Sequence, residues 1–176
     1  KKKSVRVGFM STIDEDILTS PNILNSGQFL SILINRKLLE NDLRYEDLHT
    51  GDRNAIMLWL RSTGYGHMYP ITLLDENNEP FDTEFDLSTI KTIKLGAEPD
   101  AEGLFDFTFK LCQAEIKFKL LTVGDVDHIE ELLEKDKELN SIINKENTYT
   151  LIQHIVEVNG NRDRDYITKF VERLRI

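Results

Sequence analysis

The hydrophobic period of this chain changes twice, and these changes constrain its fold more than any other feature. Up to about residue 66 the apolar residues recur at helical spacing, from about 67 to 120 they alternate with polar residues as in strands, and after 120 helical spacing returns. A sheet that is apolar on one face needs helices to cover it. The sequence therefore predicts an α+β fold, with a helical body formed by residues 1–66 and 121–176 and a β-hairpin-rich insert at 67–120.

Helical spacing predicts three helices before residue 67, at 13–18, at 27–40 and at about 50–63. Alternation at residues 5–9 predicts a short strand ahead of them. The third helix contains a run that is apolar on all sides, so we expect it to form the centre of the core. The chain's only tryptophan, Trp59, should therefore be largely buried, packed by the second helix and by the last helices of the chain.

Alternation between residues 67 and 120 predicts two β-hairpins. The first joins strands at 68–74 and 81–87 through a polar turn, and a third strand is expected at 92–95. The second hairpin, at 104–120, places six apolar side chains on one face, opposite mostly charged residues. Helical spacing then predicts a helix that opens at 121–125 and a short helix at 148–156. A last helix is predicted with Ile167, Phe170, Val171 and Leu174 on one face.

Composition and charge exclude several classes of protein. The chain has 22 basic and 31 acidic residues, a net charge of −9, which argues against a broad basic face for nucleic acid. Cys112 is the single cysteine, so neither an intrachain disulfide nor a cysteine-rich zinc cluster can form. The longest apolar run has six residues, which is far too short for a membrane span. We therefore expect no cofactor, metal, nucleic acid or membrane among its partners.

The sequence contains no recognisable catalytic constellation, and two acidic clusters come closest to a metal site. Asp125, Asp127 and His128 stand at a predicted helix start, where carboxylates also offset the helix dipole without a metal. The turn at 75–86 has oxygen-bearing residues at calcium-loop positions, but Pro80 stands where that loop requires glycine. We expect the first cluster to offset the dipole of the helix and the turn at 75–86 to be a solvated hairpin turn. A protein that works by contacts is thus favoured over an enzyme.

Several short motifs follow one another in a defined order along the chain. Leu-His-Thr-Gly-Asp-Arg at 48–53 precedes Trp-Leu-Arg-Ser-Thr-Gly-Tyr-Gly at 59–66. A hairpin, a Leu-Thr-x-Gly-Asp helix start at 121–125 and an Ile-x-x-Val-Asn-Gly segment at 155–160 come next. This series resembles the baseplate hub and hub-assembly proteins of contractile-tailed bacteriophages. The residues that form the expected structural motif are Thr50, Asp52, Arg53, Trp59, Arg61, Tyr65 and Gly66.

The resemblance implies a structural or assembly role in the hub region of a phage baseplate. Such a protein contacts other tail and baseplate proteins in many copies, in the virion and, during assembly, in the host cytoplasm. Many relatives have a Cys-x-x-Cys pair, as in a zinc ribbon, in the first hairpin turn, where this chain has no cysteine. Strand pairing and turn chemistry must therefore stabilise this hairpin. Two alternatives stay open, a tail assembly chaperone that is absent from the mature virion and an enzyme with an unrecognised site.

The two expected contact surfaces are the β insert at 67–120 and the basic C-terminal helix from Arg164 to Arg175. The apolar face of the second hairpin is too large to remain in water, and the edges of a short sheet stay open to neighbours even when helices cover one face. The last helix adds a basic stripe that suits an acidic partner. The interface residues predicted on these grounds are Phe105, Phe107, Phe118, Arg164, Lys169 and Arg173.

Overall fold

A computed structural model of the chain describes residues 4–93, 95–139 and 143–174. Within these residues it has seven helices and two small antiparallel sheets, with 47% helix and 20% strand, which confirms the α+β class. The helices are α1 (Thr12–Thr19), α2 (Pro21–Asn25), α3 (Phe29–Lys37), α4 (Thr50–Tyr65), α5 (Val123–Glu138), α6 (Glu146–His154) and α7 (Arg164–Glu172). The strands are β1 (Met68–Leu74), β2 (Pro80–Asp86), β3 (Phe105–Phe109), β4 (Ala114–Phe118) and β5 (Ile155–Val158).

The contacts between Cα atoms divide the described residues into two compact units. The N-terminal unit comprises residues 4–45 and 51–93, and the C-terminal unit comprises residues 46–50, 95–139 and 143–174. The strands β1 and β2 belong to the N-terminal unit, and β3, β4 and β5 to the C-terminal unit. This grouping differs from the predicted one, in which both hairpins formed a single insert. The reason is β5, which pairs with β4 and so draws the second hairpin to the C-terminal helices.

The core of the N-terminal unit is built mainly from helices. Helix α1 opens with a capping box between Ser11 and Asp14, as its acidic first turn suits. The predicted strand at 5–9 does not form, and only a single bridge joins Val7 to Leu38. Helix α3 extends up to Lys37, so extended chain that could pair with this segment begins only at Leu38. The buried apolar residues of this unit are Ile17, Leu33, Ile34, Leu38, Tyr45, Ile56 and Leu60.

Helix α4 does not form the centre of the core, contrary to the prediction. Within its apolar run only Ile56 and Leu60 are buried, 8% and 2% exposed. These two residues are four positions apart, so they form a single stripe, and the remaining apolar side chains lie outside it. The prediction of a largely buried Trp59 is wrong for the same reason, since that side chain is 36% exposed.

The first hairpin forms a two-stranded ribbon close to the predicted bounds. Tyr69 pairs with Phe85, Ile71 with Thr83 and Leu73 with Phe81, so these six side chains share one face. We call it the ribbon face. The third strand predicted at 92–95 is not formed at 92, 93 and 95, and residue 94 lies outside the described residues.

The C-terminal unit contains a three-stranded sheet in the order β3-β4-β5. The prediction that the short helix continues to residue 156 is wrong, because α6 ends at His154 and β5 starts at Ile155. Helix α7 contributes Ile167 and Val171 of its predicted apolar stripe to the core, and Phe170 packs against it, whereas Leu174 follows the helix and is not part of the core cluster. The buried core cluster consists of Ala114, Ile116, Ile155, Val158, Ile167 and Val171.

A five-residue segment, 46–50, completes the C-terminal unit from far back in the sequence. The amide of Val123 donates to the carbonyl of Leu48 at 2.8 Å, and His49 bridges to Thr122. Gly124 permits this close approach, because a Cβ at this position would lie 3.3 Å from the carbonyl oxygen of Glu46, a tight contact. The segment therefore packs against the start of α5, whose N-cap is Thr122.

Candidate functional site

Arg61 connects the end of α4 to the start of β1, and it brings three residues of the predicted motif together. Its guanidinium lies over the rings of Tyr65 and Tyr69, 5.0 and 5.4 Å from their centroids. It also donates to the carbonyl oxygens of Gly66 at 3.1 Å and Met68 at 3.4 Å. Gly66 has φ +86°, a conformation that favours glycine. These contacts shape the turn from helix to ribbon.

The tyrosine of this turn is linked to α1. Tyr65 is 47% exposed, and its hydroxyl donates to the carboxylate of Glu15. The hydrogen bond to Glu15, together with partial burial, raises the pKa of the Tyr65 phenol. The Tyr65 hydroxyl therefore keeps its proton at neutral pH and can donate this hydrogen bond to Glu15.

The other motif residues are dispersed along α4. Arg53 donates to the side chain of its neighbour Asn54, and Asp52 is exposed in the first turn of the helix. Thr50, expected to cap the helix, is its first residue. The ring of Trp59 lies 5.1 Å from that of Phe9, not against the helices that the sequence suggested. The motif is thus a set of local contacts along one helix and not a convergent chemical site.

Asp14 forms a buried ionic centre that sequence reasoning missed. Its fully buried carboxylate pairs with the ammonium of Lys37 and accepts from Nε of Arg36 at 3.1 Å. Burial opposes the ionisation of Asp14, but hydrogen bonds from Lys37, Ser11 and Arg36 outweigh it and hold its pKa well below the usual range. The two cationic partners, Arg36 and Lys37, lie 22 or more positions away in the sequence, so no local signal could find them.

The ribbon face leaves a large apolar surface open on the N-terminal unit. Tyr69, Leu73, Phe81 and Phe85 are each 43–46% exposed. Beside Tyr69, the first residue of this face, a cavity of about 520 Å³ lies between the ribbon and α4. Met57 and Leu58 of α4 contribute to the lining of this cavity. The opposite face of β2 carries Asp82, Glu84 and Asp86. The acidic side chains of β2 therefore lie on the face opposite the ribbon face, together with Met68, Pro70, Thr72 and Leu74 of β1.

The predicted aromatic interface residues differ in their exposure. Phe105 is buried, 7% exposed, and its ring stacks on that of Phe118 with 5.5 Å between centroids. Both side chains therefore stabilise the pairing of β3 with β4, and they do not form a contact surface for a partner. Phe107, between Phe105 and Phe109 on β3, is 52% exposed and remains available.

The predicted basic residues of the last helix also have different roles. Arg164 donates from Nη1 to the carbonyl of Ile155 at 3.2 Å and so connects α7 with the start of β5. Lys169 and Arg173 are exposed and line the rim of an open groove. Arg164 is therefore engaged by contacts within the unit, whereas Lys169 and Arg173 lie at the groove.

This groove has a volume of about 630 Å³ and lies entirely within the C-terminal unit. Phe109, Leu111 and Cys112 line it from the second hairpin. Helix α7 and the residues that follow it contribute the other side, with Tyr166, Lys169, Phe170, Arg173 and Leu174. We call it the α7 groove. Its floor joins the core, because Phe109 and Phe170 pack against the buried cluster.

The carboxylates that the sequence offered as metal ligands are engaged by hydrogen bonds. Asp125 accepts from Nζ of Lys119 at 2.7 Å, from Nε2 of Gln153 at 2.7 Å and from the amide of Thr122 at 3.0 Å. Burial opposes its ionisation, yet these hydrogen bonds lower its pKa. In the turn of the first hairpin, Asp75 accepts from two backbone amides. Across residues 4–93, 95–139 and 143–174, no cluster of three His, Cys, Asp or Glu side chains could hold a metal ion.

The helices in the described part of the chain include none with the length and apolarity needed to cross a membrane. Comparisons of the chain with models of protein families, with curated proteins and with solved structures find no match.

Proposed function

We propose that the protein is a structural or assembly component of a contractile phage tail, in the hub region of the baseplate, and that it acts through protein–protein contacts. The motif series at 48–66, 121–125 and 155–160 supports this setting by its resemblance to the hub and hub-assembly family. The observation that carries the contact role is the open ribbon face.

The ribbon face has the properties of a surface that is completed by another molecule. A two-stranded ribbon is marginally stable alone, and large apolar side chains that share one face favour burial. Covering the exposed half of a residue such as Leu73 or Phe81 would contribute about 1 kcal/mol per side chain. In a symmetric assembly this contribution is repeated at every copy, which raises the effective affinity.

The edges of the ribbon support the same role. Within the described residues β1 and β2 pair only with each other, so each strand has a backbone edge without a neighbouring strand. Such an edge can accept a strand from a partner, whose main chain supplies the hydrogen bonds and whose side chains extend the sheet face.

Adjacent residues on opposite faces of β1 provide a matched test. Leu73 lies on the ribbon face and Leu74 on the other face, and both are exposed, 45% and 65%. We expect Leu73→Ser to reduce incorporation of the protein into tails and Leu74→Ser to leave it unchanged. Incorporation is measured by quantitative mass spectrometry of purified tails, and thermal melting of both variants controls for loss of fold.

The outcomes separate the alternatives. Wild-type incorporation of Leu73→Ser would show that the ribbon face is not a contact. Detection of the protein in assembly intermediates but not in mature particles would identify an assembly chaperone instead. Absence from intermediates and particles alike would refute the tail role.

A further inference from the structure

The α7 groove combines an apolar floor with unneutralised positive charge on its rim. We infer that it binds an acidic amphipathic helix of a partner protein, whose apolar face fills the groove and whose carboxylates pair with Lys169 and Arg173. The choice of a protein as the occupant rests on the proposed function. The groove, its charge and its test do not depend on where the protein works.

The apolar character of the groove comes from both of its sides. Phe109 and Phe170 form the floor, where they are only partly buried against the core. Leu111, 79% exposed, and Tyr166, 41% exposed, project at its margins. A solvent-exposed leucine beside a half-covered phenylalanine gains from any apolar surface laid over both.

The charge of the rim differs from that of the chain as a whole. The net charge is −9, and several cations in this unit are already paired, such as Arg162 with Glu157 at 2.7 Å and Lys119 with Asp125 at 2.7 Å. Lys169 and Arg173 form no ion pair with any described residue, including Glu172 on the same helix. Two free cations beside an apolar groove are complementary to an acidic amphipathic partner.

Their spacing favours a helix over a small amphiphile. Lys169 and Arg173 are four positions apart, which places them on neighbouring turns of α7 and its C-cap. Two carboxylates spaced three or four residues apart on a partner helix match this separation, whereas a fatty acid has only one. The exposed margins also leave any occupant open to water along one side, as in helix-in-groove recognition, while small-molecule pockets enclose most of their ligand.

The single cysteine reports directly on occupancy of the groove. Cys112 lines it and is exposed, so its rate of reaction with a chromogenic disulfide reagent measures access. The probes are two synthetic peptides of about 14 residues, four helical turns. Both carry a leucine stripe at i, i+3, i+4 and i+7, flanked by glutamates in one peptide and by lysines at the same positions in the other.

We expect the glutamate peptide to bind the full-length protein by fluorescence anisotropy and to slow the reaction of Cys112 by at least about fivefold at saturation. The double charge reversal Lys169→Glu/Arg173→Glu should weaken this binding about tenfold, the effect of two partly exposed ion pairs, and should allow the lysine peptide to bind. Lys135→Glu, an exposed reversal on α5, serves as the matched control and should change neither result.

Three results would overturn the inference. They are failure of the glutamate peptide to protect Cys112, equal protection by both peptides, and unchanged binding by the double variant. Protection by oleate without protection by the glutamate peptide would identify a small anionic amphiphile as the occupant and refute a helix. None of these results affects tail incorporation through the ribbon face, so the two proposals fail independently.

Discussion

Replacement of Asp14 by asparagine should remove the charge on which the buried ionic centre of the N-terminal unit depends. Asp14 is fully buried and Lys37 is 8% exposed, so the ammonium of Lys37 would remain inside the unit without its counter-ion. Loss of one partner of a buried pair typically costs about 3–5 kcal/mol. The asparagine oxygen can still accept from the amide of Ser11, which donates to Asp14 at 2.7 Å, so we expect a value near the lower limit.

Urea unfolding followed by the emission of Trp59 measures this effect within the same unit. The ring of Trp59 contacts Phe9, whose carbonyl accepts from Nζ of Lys37 at 3.0 Å. With a denaturant dependence of about 1–3 kcal/mol per molar urea, the midpoint should fall by about 1–3 M. Asp16→Asn is the matched control, because Asp16 is an exposed carboxylate on the same helix. It should change stability by no more than about 0.5 kcal/mol.

The pH dependence gives a second criterion for Asp14. Because its pKa is lowered in the folded state, its charge contributes fully above the ordinary carboxyl value of about 4. This contribution is lost as the pH falls from about 4 toward the folded-state pKa, so the difference between wild type and Asp14→Asn should narrow there. Equal stabilities of Asp14→Asn and Asp16→Asn at neutral pH, or a difference independent of pH, would refute the reasoning.

Three further predictions concern the core, the turn and the metal content. Ile167→Ala should cost about 2–5 kcal/mol in thermal or urea unfolding, because Ile167 is 0% exposed in the core cluster, whereas Leu139→Ala, at an 80% exposed site, should be near neutral. Gly66→Val should cost about 1–3 kcal/mol because φ is +86°, and a loss no larger than that of the surface variant Lys135→Ala would contradict this. EDTA should leave the melting temperature unchanged, and one zinc per chain by elemental analysis would disprove this expectation.

Elements that depend on local chemistry could be predicted from the sequence. Thr122 and Asp125 form a capping box at the predicted helix start, and the two hairpins occur near their predicted bounds. By contrast, residues 155 and 156 continue the helical spacing of α6, yet they begin β5, which pairs with the distant strand β4. The exposure of Trp59 likewise depends on how much of α4 is covered, which an all-apolar run does not reveal.

The candidate sites likewise contain residues that the sequence could reveal and residues that only tertiary packing brings together. Lys169 and Arg173 could be recognised as part of a basic stripe, since they are close in sequence and lie on one helix. The other side of the α7 groove comes from Leu111 and Cys112, which reach it through the packing of the sheet against α7. The ribbon face follows from a pairing register that alternation predicts, but its exposure depends on the tertiary packing around it, which alternation does not reveal.

The segment at 46–50 has a consequence for the order of events on the ribosome. Leu48 is synthesised roughly 75 residues before its partner Val123, and at typical elongation rates this separation corresponds to about 4–15 s. During that interval residues 46–50 emerge without the start of α5, so the C-terminal unit cannot close while the chain is still short. Its closure must therefore follow synthesis of β4 and β5, and until then residues 46–50 stay accessible to chaperones.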